Sequence, residues 1–231
     1  MIYNSVNLND YHVEFMDEAA FIAAPSRSYT STSIPGRNGD LHIASNRYEN
    51  LPVKVTAIIF DDIRRYYGPL AAFLTQDAEY HRLEGFKDPD VYRMAAVKEI
   101  GAPKLRAFAR GGSFAISFDC KPLLYVKDGE EPQTYISSGS ILNPYFAAAR
   151  PLLRVYGWGT FSVGSGTIKI HSDSADYIDI DCELKDAYNG KNNRNSFIEV
   201  TKWPELLPGV NEITIPSTVT KIEIVPRWVT L

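Results

Sequence analysis

Residues 113–120 alternate apolar and polar side chains, with Phe114, Ile116 and Phe118 set against Ala115, Ser117 and Asp119. A period of two is the signature of a strand with one buried face. Pro122 closes the run, because it has no N–H and holds Lys121 in extended geometry. From 128 to 150 turn formers dominate and periodicity is lost. The pattern predicts that 113–120 is the last strand of a first domain, residues 1–125. Residues 126–150 then read as a linker to a second domain, 151–231.

Upstream, the best strand covers 52–60 (PVKVTAIIF). A helix follows it: Asp61 or Asp62 can cap, and Ile63, Tyr66, Tyr67, Leu70, Phe73 and Leu74 recur at helical spacing. Gly68-Pro69 inside that helix predicts a kink or a short break. Segments 79–86 and 91–100 read as a strand pair joined by Lys87-Asp88-Pro89-Asp90. Nearer the N-terminus, Val6 and Leu8 mark a short strand. The apolar 21–24 is a candidate partner for 28–34, whose Ser/Thr alternation suits an exposed strand. Pro35-Gly36-Arg37-Asn38-Gly39-Asp40 is a double turn. Gly36 and Gly39 supply positive φ, and Asn38-Gly39 is a strong hairpin signal. Extended structure resumes at 41–43.

The second half predicts short strands at 152–156, 160–163, 166–171, 177–182, 196–200, 211–215 and 221–225. Turn chemistry separates them, as in Gly157-Trp158-Gly159, Gly164-Ser165-Gly166, Asn189-Gly190 and Pro208-Gly209. Many short strands with regular turns predict a sandwich or jelly roll. The fold class is therefore mainly β, with one helix in the first domain.

Composition narrows the chemistry. Of 231 residues, 45% are hydrophobic, enough for a core in each half, and 14 Tyr with 11 Phe favour strands. The net charge of −4 argues against a protein held to nucleic acid by bulk positive charge. Cys120 and Cys182 fall in different domains, each on a predicted strand, and read as reduced packing residues. No apolar run approaches the ~20 residues a membrane span needs, and no basic-then-apolar leader follows Met1. The expectation is folding in a cytoplasm.

Candidate chemistry is sparse. Gly157-Trp158-Gly159 approaches a dinucleotide fingerprint, but Ser162 stands at the third glycine and the segment opens a strand, so a hairpin is the expectation. No phosphate-cradling loop, no G-x-S-x-G and no metal-ligand spacing among His12, His42, His81 and His171 is present. Asp179, Asp181 and Glu183 share one face of a predicted strand. They could hold Ca²⁺ or act as an acid/base pair, but a solvated outer face is the commoner arrangement and the one expected. Arg194, Trp203 and Glu205 combine guanidinium, indole and carboxylate, a set able to contact a carbohydrate by stacking and bidentate bonds. The plainer alternative is a polar loop followed by a Trp packed on Pro204. No cofactor is implied.

Taken in order, Pro151-Leu152-Leu153-Arg154-Val155-Tyr156-Gly157, Tyr177-Ile178-Asp179-Ile180-Asp181-Cys182, Asp186-Ala187-Tyr188, Pro208-Gly209-Val210-Asn211 and the ending Pro226-Arg227-Trp228 form a series. That series resembles the C-terminal half of the distal tail proteins of long-tailed siphophages. Residues 35–40 and Phe118-Asp119-Cys120-Lys121-Pro122 are similar to the same family's first half. The resemblance implies a tail-tube-like N-terminal β-sandwich or barrel with one helix, and a galectin-like C-terminal β-sandwich. It implies a homo-hexameric ring in a virion tail tip, between the major tail-tube protein and the tail-associated hub protein. Genomic DNA would pass through the lumen, a receptor-binding protein could attach outside, and no membrane is involved. Within such a ring the expected interface is the turn Pro35, Gly36, Arg37, Asn38 and Gly39 with its flanking strands, since sheet edges and extended arms join tube subunits. The alternatives from other classes are a carbohydrate-binding module on Arg194, Trp203 and Glu205, and a glycan-cleaving enzyme on Asp179 and Asp181.

Overall fold

The computed structural model describes residues 1–16, 23–85, 89–105, 110–171 and 176–231. The chain divides into two compact units, Met1–Leu124 with the terminal Leu231, and Tyr125–Thr230.

In the first unit, β1 (Ile2–Tyr3), β2 (Val6–Asn7), β3 (Val13–Phe15), β4 (Arg27–Thr32), β5 (Leu41–Tyr48) and β6 (Leu51–Ile59) precede helix α1 (Ile63–Leu74). After the helix come β7 (His81–Glu84), β8 (Val91–Ile100), β9 (Lys104–Leu105) and β10 (Gly112–Cys120). One antiparallel sheet takes the order β2-β1-β7-β8-β10-β6-β3. Its centre is the alternating segment seen in the sequence: Phe114, Ile116 and Phe118 on β10 lie opposite Ala57, Val55 and Val53 on β6. Those residues are buried together with Ile63, Leu70 and Leu74 from α1. Each large apolar side chain so enclosed contributes roughly 1.5–3 kcal/mol.

Asp62 caps α1, its carboxylate accepting the Arg64 N–H at 3.2 Å. The helix runs through Gly68 and Pro69 as one element, without the expected break. Pro69 deprives the Arg65 carbonyl of its helical donor, and Arg65 lies on the exposed side, where the loss is cheapest. Arg93 on β8 is 1% exposed and donates to the carbonyls of Ala23 and Pro122, so a buried cation fixes the chain after β10.

Three expectations in this half change. β4 pairs with β5, not with 21–24, because the turn at 35–40 brings 41–48 alongside first; Phe21 and Ile22 themselves lie outside the described residues. The second strand of that pair is longer than 41–43. The strand expected over 79–86 is seen at His81–Glu84, and Phe86, Lys87 and Asp88 lie outside the described residues.

The second unit is a sandwich of two antiparallel sheets. Its strands are β11 (Leu124–Val126, at the boundary), β12 (Gln133–Tyr135), β13 (Gly139–Asn143), β14 (Leu152–Gly157), β15 (Gly159–Val163), β16 (Gly166–Ile170), β17 (Ile178–Asp181), β18 (Asp186–Asn189), β19 (Asn192–Asn193), β20 (Ile198–Lys202), β21 (Gly209–Thr214), β22 (Val219–Val225) and β23 (Val229–Thr230). One sheet runs β12-β22-β14-β17-β18-β19 and the other β13-β21-β15-β16-β20. Leu153, Val155, Ile180, Ile222 and Ile224 from the first sheet, and Phe161, Val163, Ile168 and Ile213 from the second, are all at most 1% exposed. Residues 126–150, read from the sequence as a linker, carry β12 and β13, each hydrogen-bonded into one of these sheets. Strands of three and five residues are too short to show periodicity.

The turn at Gly157-Trp158-Gly159 is not a hairpin. β14 pairs with β17 and β22, whereas β15 pairs with β16 and β21, so the turn carries the chain from one sheet to the other. Gly157 has φ of 109°, and a Cβ there would stand 2.3 Å from the Thr218 carbonyl oxygen. Only glycine fits so close a crossing.

Candidate assembly interface

The β4–β5 hairpin contributes no described residue to the core of the first unit. In register, Thr30 faces Ile43 and Thr32 faces Leu41, while Tyr29 faces Ala44 and Ser31 faces His42. The first pairs share one side of the ribbon and the second pairs the other. Neither side is covered: Tyr29 is 55% exposed, Leu41 41% and Ile43 56%. Among the described residues, none of the hairpin belongs to the buried cluster of the unit.

Local contacts give the ribbon its shape. Tyr29 stacks on His42 with ring centroids 4.6 Å apart. The Ser31 hydroxyl donates to Asp40 at 2.8 Å, the Ser45 hydroxyl to the Ser28 carbonyl at 2.8 Å, and the Glu49 N–H to the Ser26 carbonyl at 2.9 Å. The Arg27 guanidinium donates to the Tyr48 hydroxyl at 3.1 Å, beside a small cleft of about 120 Å³ lined by Arg27, Ser28, Ala44, Arg47 and Tyr48. At the far end the Arg37 N–H closes the turn on the Ile34 carbonyl at 3.1 Å, and Gly36 and Gly39 take φ of 80° and 84°. Pro35, Gly36, Arg37, Asn38 and Gly39 thus form an open turn at the end of an exposed ribbon. A two-stranded ribbon alone is marginal in water, and exposed apolar residues on both its sides gain most from a second surface.

A second feature lies along β3, the last strand of the sheet path, which pairs with β6. Asn9, His12, Val13, Glu14, Phe60 and Asp61 line a cleft of about 290 Å³ there. An adjoining cleft of about 310 Å³ shares Asn9 and Glu14 and adds Met1, Phe15 and Gly85. Phe60 is 60% exposed.

The strand 178–181 overturns the solvated-face expectation. Asp179 and Asp181 are 5% and 3% exposed, as buried as Ile178 and Ile180. Arg154 grips Asp179 through two bonds, Nε to Oδ1 at 2.7 Å and Nη2 to Oδ2 at 3.0 Å. Arg227 grips Asp181 through two bonds of 2.9 Å, and the Glu183 and Leu184 N–H groups donate to the same carboxylate. Burial alone would push the Asp181 carboxyl up; Arg227 and the two N–H groups outweigh it and hold it below the usual carboxylate range. Each carboxylate is buried and held by an arginine through two hydrogen bonds, the arrangement of a structural ion pair. Among the described residues no group of three His, Cys, Asp or Glu could hold a metal.

The carbohydrate candidates sit on different elements. Arg194 caps the turn after β19, with its guanidinium 5.2 Å from the Phe197 ring centroid. Trp203 and Glu205 lie between β20 and β21, where Pro204 is buried and Glu205 pairs with Arg150 at 3.3 Å. The Glu205 carbonyl also accepts the Ser165 N–H. Cys120 and Cys182 are free and buried, and burial pushes both thiols up to about 12. No helix among the described residues is long and apolar enough to cross a membrane.

No family model matches the chain, and no curated protein sequence matches it. Solved structures do. The SPP1 Dit (gp 19.1) protein, a hub adsorption apparatus protein of Gram-positive infecting phages, has a TM-score of 0.73 at 14% identity, over 96% of each chain. A chain of the phage p2 baseplate in its activated conformation with Sr has a TM-score of 0.52 at 11% identity, over 95% of this chain and 92% of that one. The fold is thus Dit-like over nearly the whole length, through both units.

Proposed function

We propose that the chain is a structural, non-enzymatic component of a phage or prophage tail tip. In this reading six copies form a ring that joins the tail tube to the hub, and DNA passes through its lumen. The supporting observation is the exposed β4–β5 hairpin, carried on a unit of Dit-like fold and left outside that unit's core. A ribbon of one chain that meets a different surface on the next makes a head-to-tail contact, and such contacts form a ring when the rotation between copies closes. The tail-tube protein and the hub protein are the axial partners, and a receptor-binding protein is a peripheral one. Assembly takes place in the bacterial host cytoplasm. The net charge of −4 suits a ring that DNA slides through, because retention needs clustered Lys and Arg. A carbohydrate-binding role has no comparable support, since Arg194 and Glu205 are engaged in local packing.

Gold-labelled antibodies raised against the purified chain test the location on virions of the source phage, or of the induced prophage. Label at the tail end distant from the capsid is the expected result. Label on the capsid, or none on intact particles, contradicts it.

A further inference from the structure

We infer that the cleft along β3 receives the hairpin tip of a second copy of this chain, with Arg37 as the inserted side chain. This rests on reading the hairpin as the arm that joins copies, and it adds where that arm lands.

The cleft has the chemistry of a guanidinium receptor. Glu14 and Asp61 line it and are exposed, and Phe60, 60% exposed, lines it beside them. A planar guanidinium donates to carboxylates through a fork of N–H groups and lies favourably over an aromatic face, so two carboxylates and a phenyl ring select arginine over a compact ammonium. The cleft of about 290 Å³ has room for an arginine head, and it shares Asn9 and Glu14 with the neighbouring cleft. Among the described residues β3 pairs only with β6 and ends the sheet path, so its other edge can meet an incoming extended segment.

Charge identifies the occupant. Between residues 27 and 48 the hairpin carries Arg27, Arg37 and Arg47 against Asp40, a net of +2. The whole chain is −4, so the remainder is −6. A basic arm on an acidic body complements another copy of that body, and opposite potentials fix both partner and register. Arg27 is committed to Tyr48, whereas Arg37 stands on the exposed turn.

Site-directed disulfide formation tests the placement. The full-length chain carrying both Arg37→Cys and Glu14→Cys is oxidised with copper phenanthroline and run without reductant. Cys120 and Cys182 are buried and stay silent. The expected result is a ladder of covalent oligomers beyond the dimer, with each single variant stopping at the dimer. Overturning results are no ladder, a closed monomer formed within one chain, or an equal ladder when Glu99→Cys replaces Glu14→Cys. Native mass of charge-reversal variants separates this placement from the broader reading. Arg37→Glu and Glu14→Arg should each weaken assembly more than tenfold, and the double variant should recover it. If Arg37→Glu disrupts assembly while Glu14→Arg does not, the arm lands elsewhere: the cleft assignment fails and the tail-tip reading survives. If neither changes a chain that does assemble, the hairpin is not the joining arm and both fail.

Discussion

Arg227 holds a left-handed backbone, with φ of 54°, that a non-glycine residue adopts only when its surroundings compensate. Two contacts do so, its N–H to the Gly129 carbonyl at 2.8 Å and its guanidinium on Asp181, and the next residue, Trp228, is 2% exposed. Asp181→Asn keeps the shape and removes the charge. It should cost about 2–3 kcal/mol, somewhat below the full penalty for breaking a buried pair because the Arg227 side chain keeps 28% exposure. Asp179→Asn should cost less, since Arg154 is 41% exposed and can turn to water. Acid provides a second check on Asp181. Its carboxyl is depressed in the folded chain, so its stabilisation is present above the unfolded value of about 3.9 and fades as pH falls through the lower folded one. Thermal melts should show the gap between wild type and Asp181→Asn at pH 7 and its narrowing below about pH 4; a gap independent of pH contradicts the pairing. The alternation at 177–183 puts these carboxylates on one strand face, and that much is legible in the sequence. Their burial is not, because the arginines that cover them lie 25 and 46 residues away along the chain.

Among the elements, α1 spans its predicted start and apolar stripe and tolerates Gly68 and Pro69 through packing rather than propensity. Helix propensity favours Gly68→Ala by about 0.5–1 kcal/mol, but the Pro69 ring disfavours helical backbone in a preceding residue that carries a Cβ, so the exchange should gain less than about 0.5 kcal/mol in a denaturant titration. A gain of the full amount would contradict that restriction. For the hairpin, stability and assembly should separate. Leu41→Lys with Ile43→Lys removes exposed apolar surface and should leave the unfolding free energy of the monomer within about 0.5 kcal/mol of wild type, while lowering assembly. A large loss of monomer stability would place the ribbon against its own core. Strong local signals make β6, β10, α1 and the 35–40 turn legible. What the sequence conceals is pairing choice: β14 and β15 flank a two-glycine turn yet belong to different sheets, and β12 and β13 owe their extended form to partners far downstream, on β22 and β21.

The two units are compact, the ribbon contributes nothing to the first unit's core, and in the proposed ring it makes the contacts with other chains. Trypsin should therefore cut the free chain first at Arg37, on the open turn, and leave 126–150 intact, where strands of the second unit hold the backbone. Early cleavage at Lys127 or Arg150 would contradict that assignment. We place the ring in the first unit, which carries both the ribbon and the β3 edge. The native mass of the full-length chain, measured across rising concentration beside a variant lacking residues 35–40, decides whether this ribbon joins the copies. Wild-type particles of six copies, about 155 kDa from a 25.9 kDa chain, are expected, with a variant that stays monomeric yet folded. A wild-type chain that assembles equally well without 35–40, or closes as a dimer through its second unit, would contradict it.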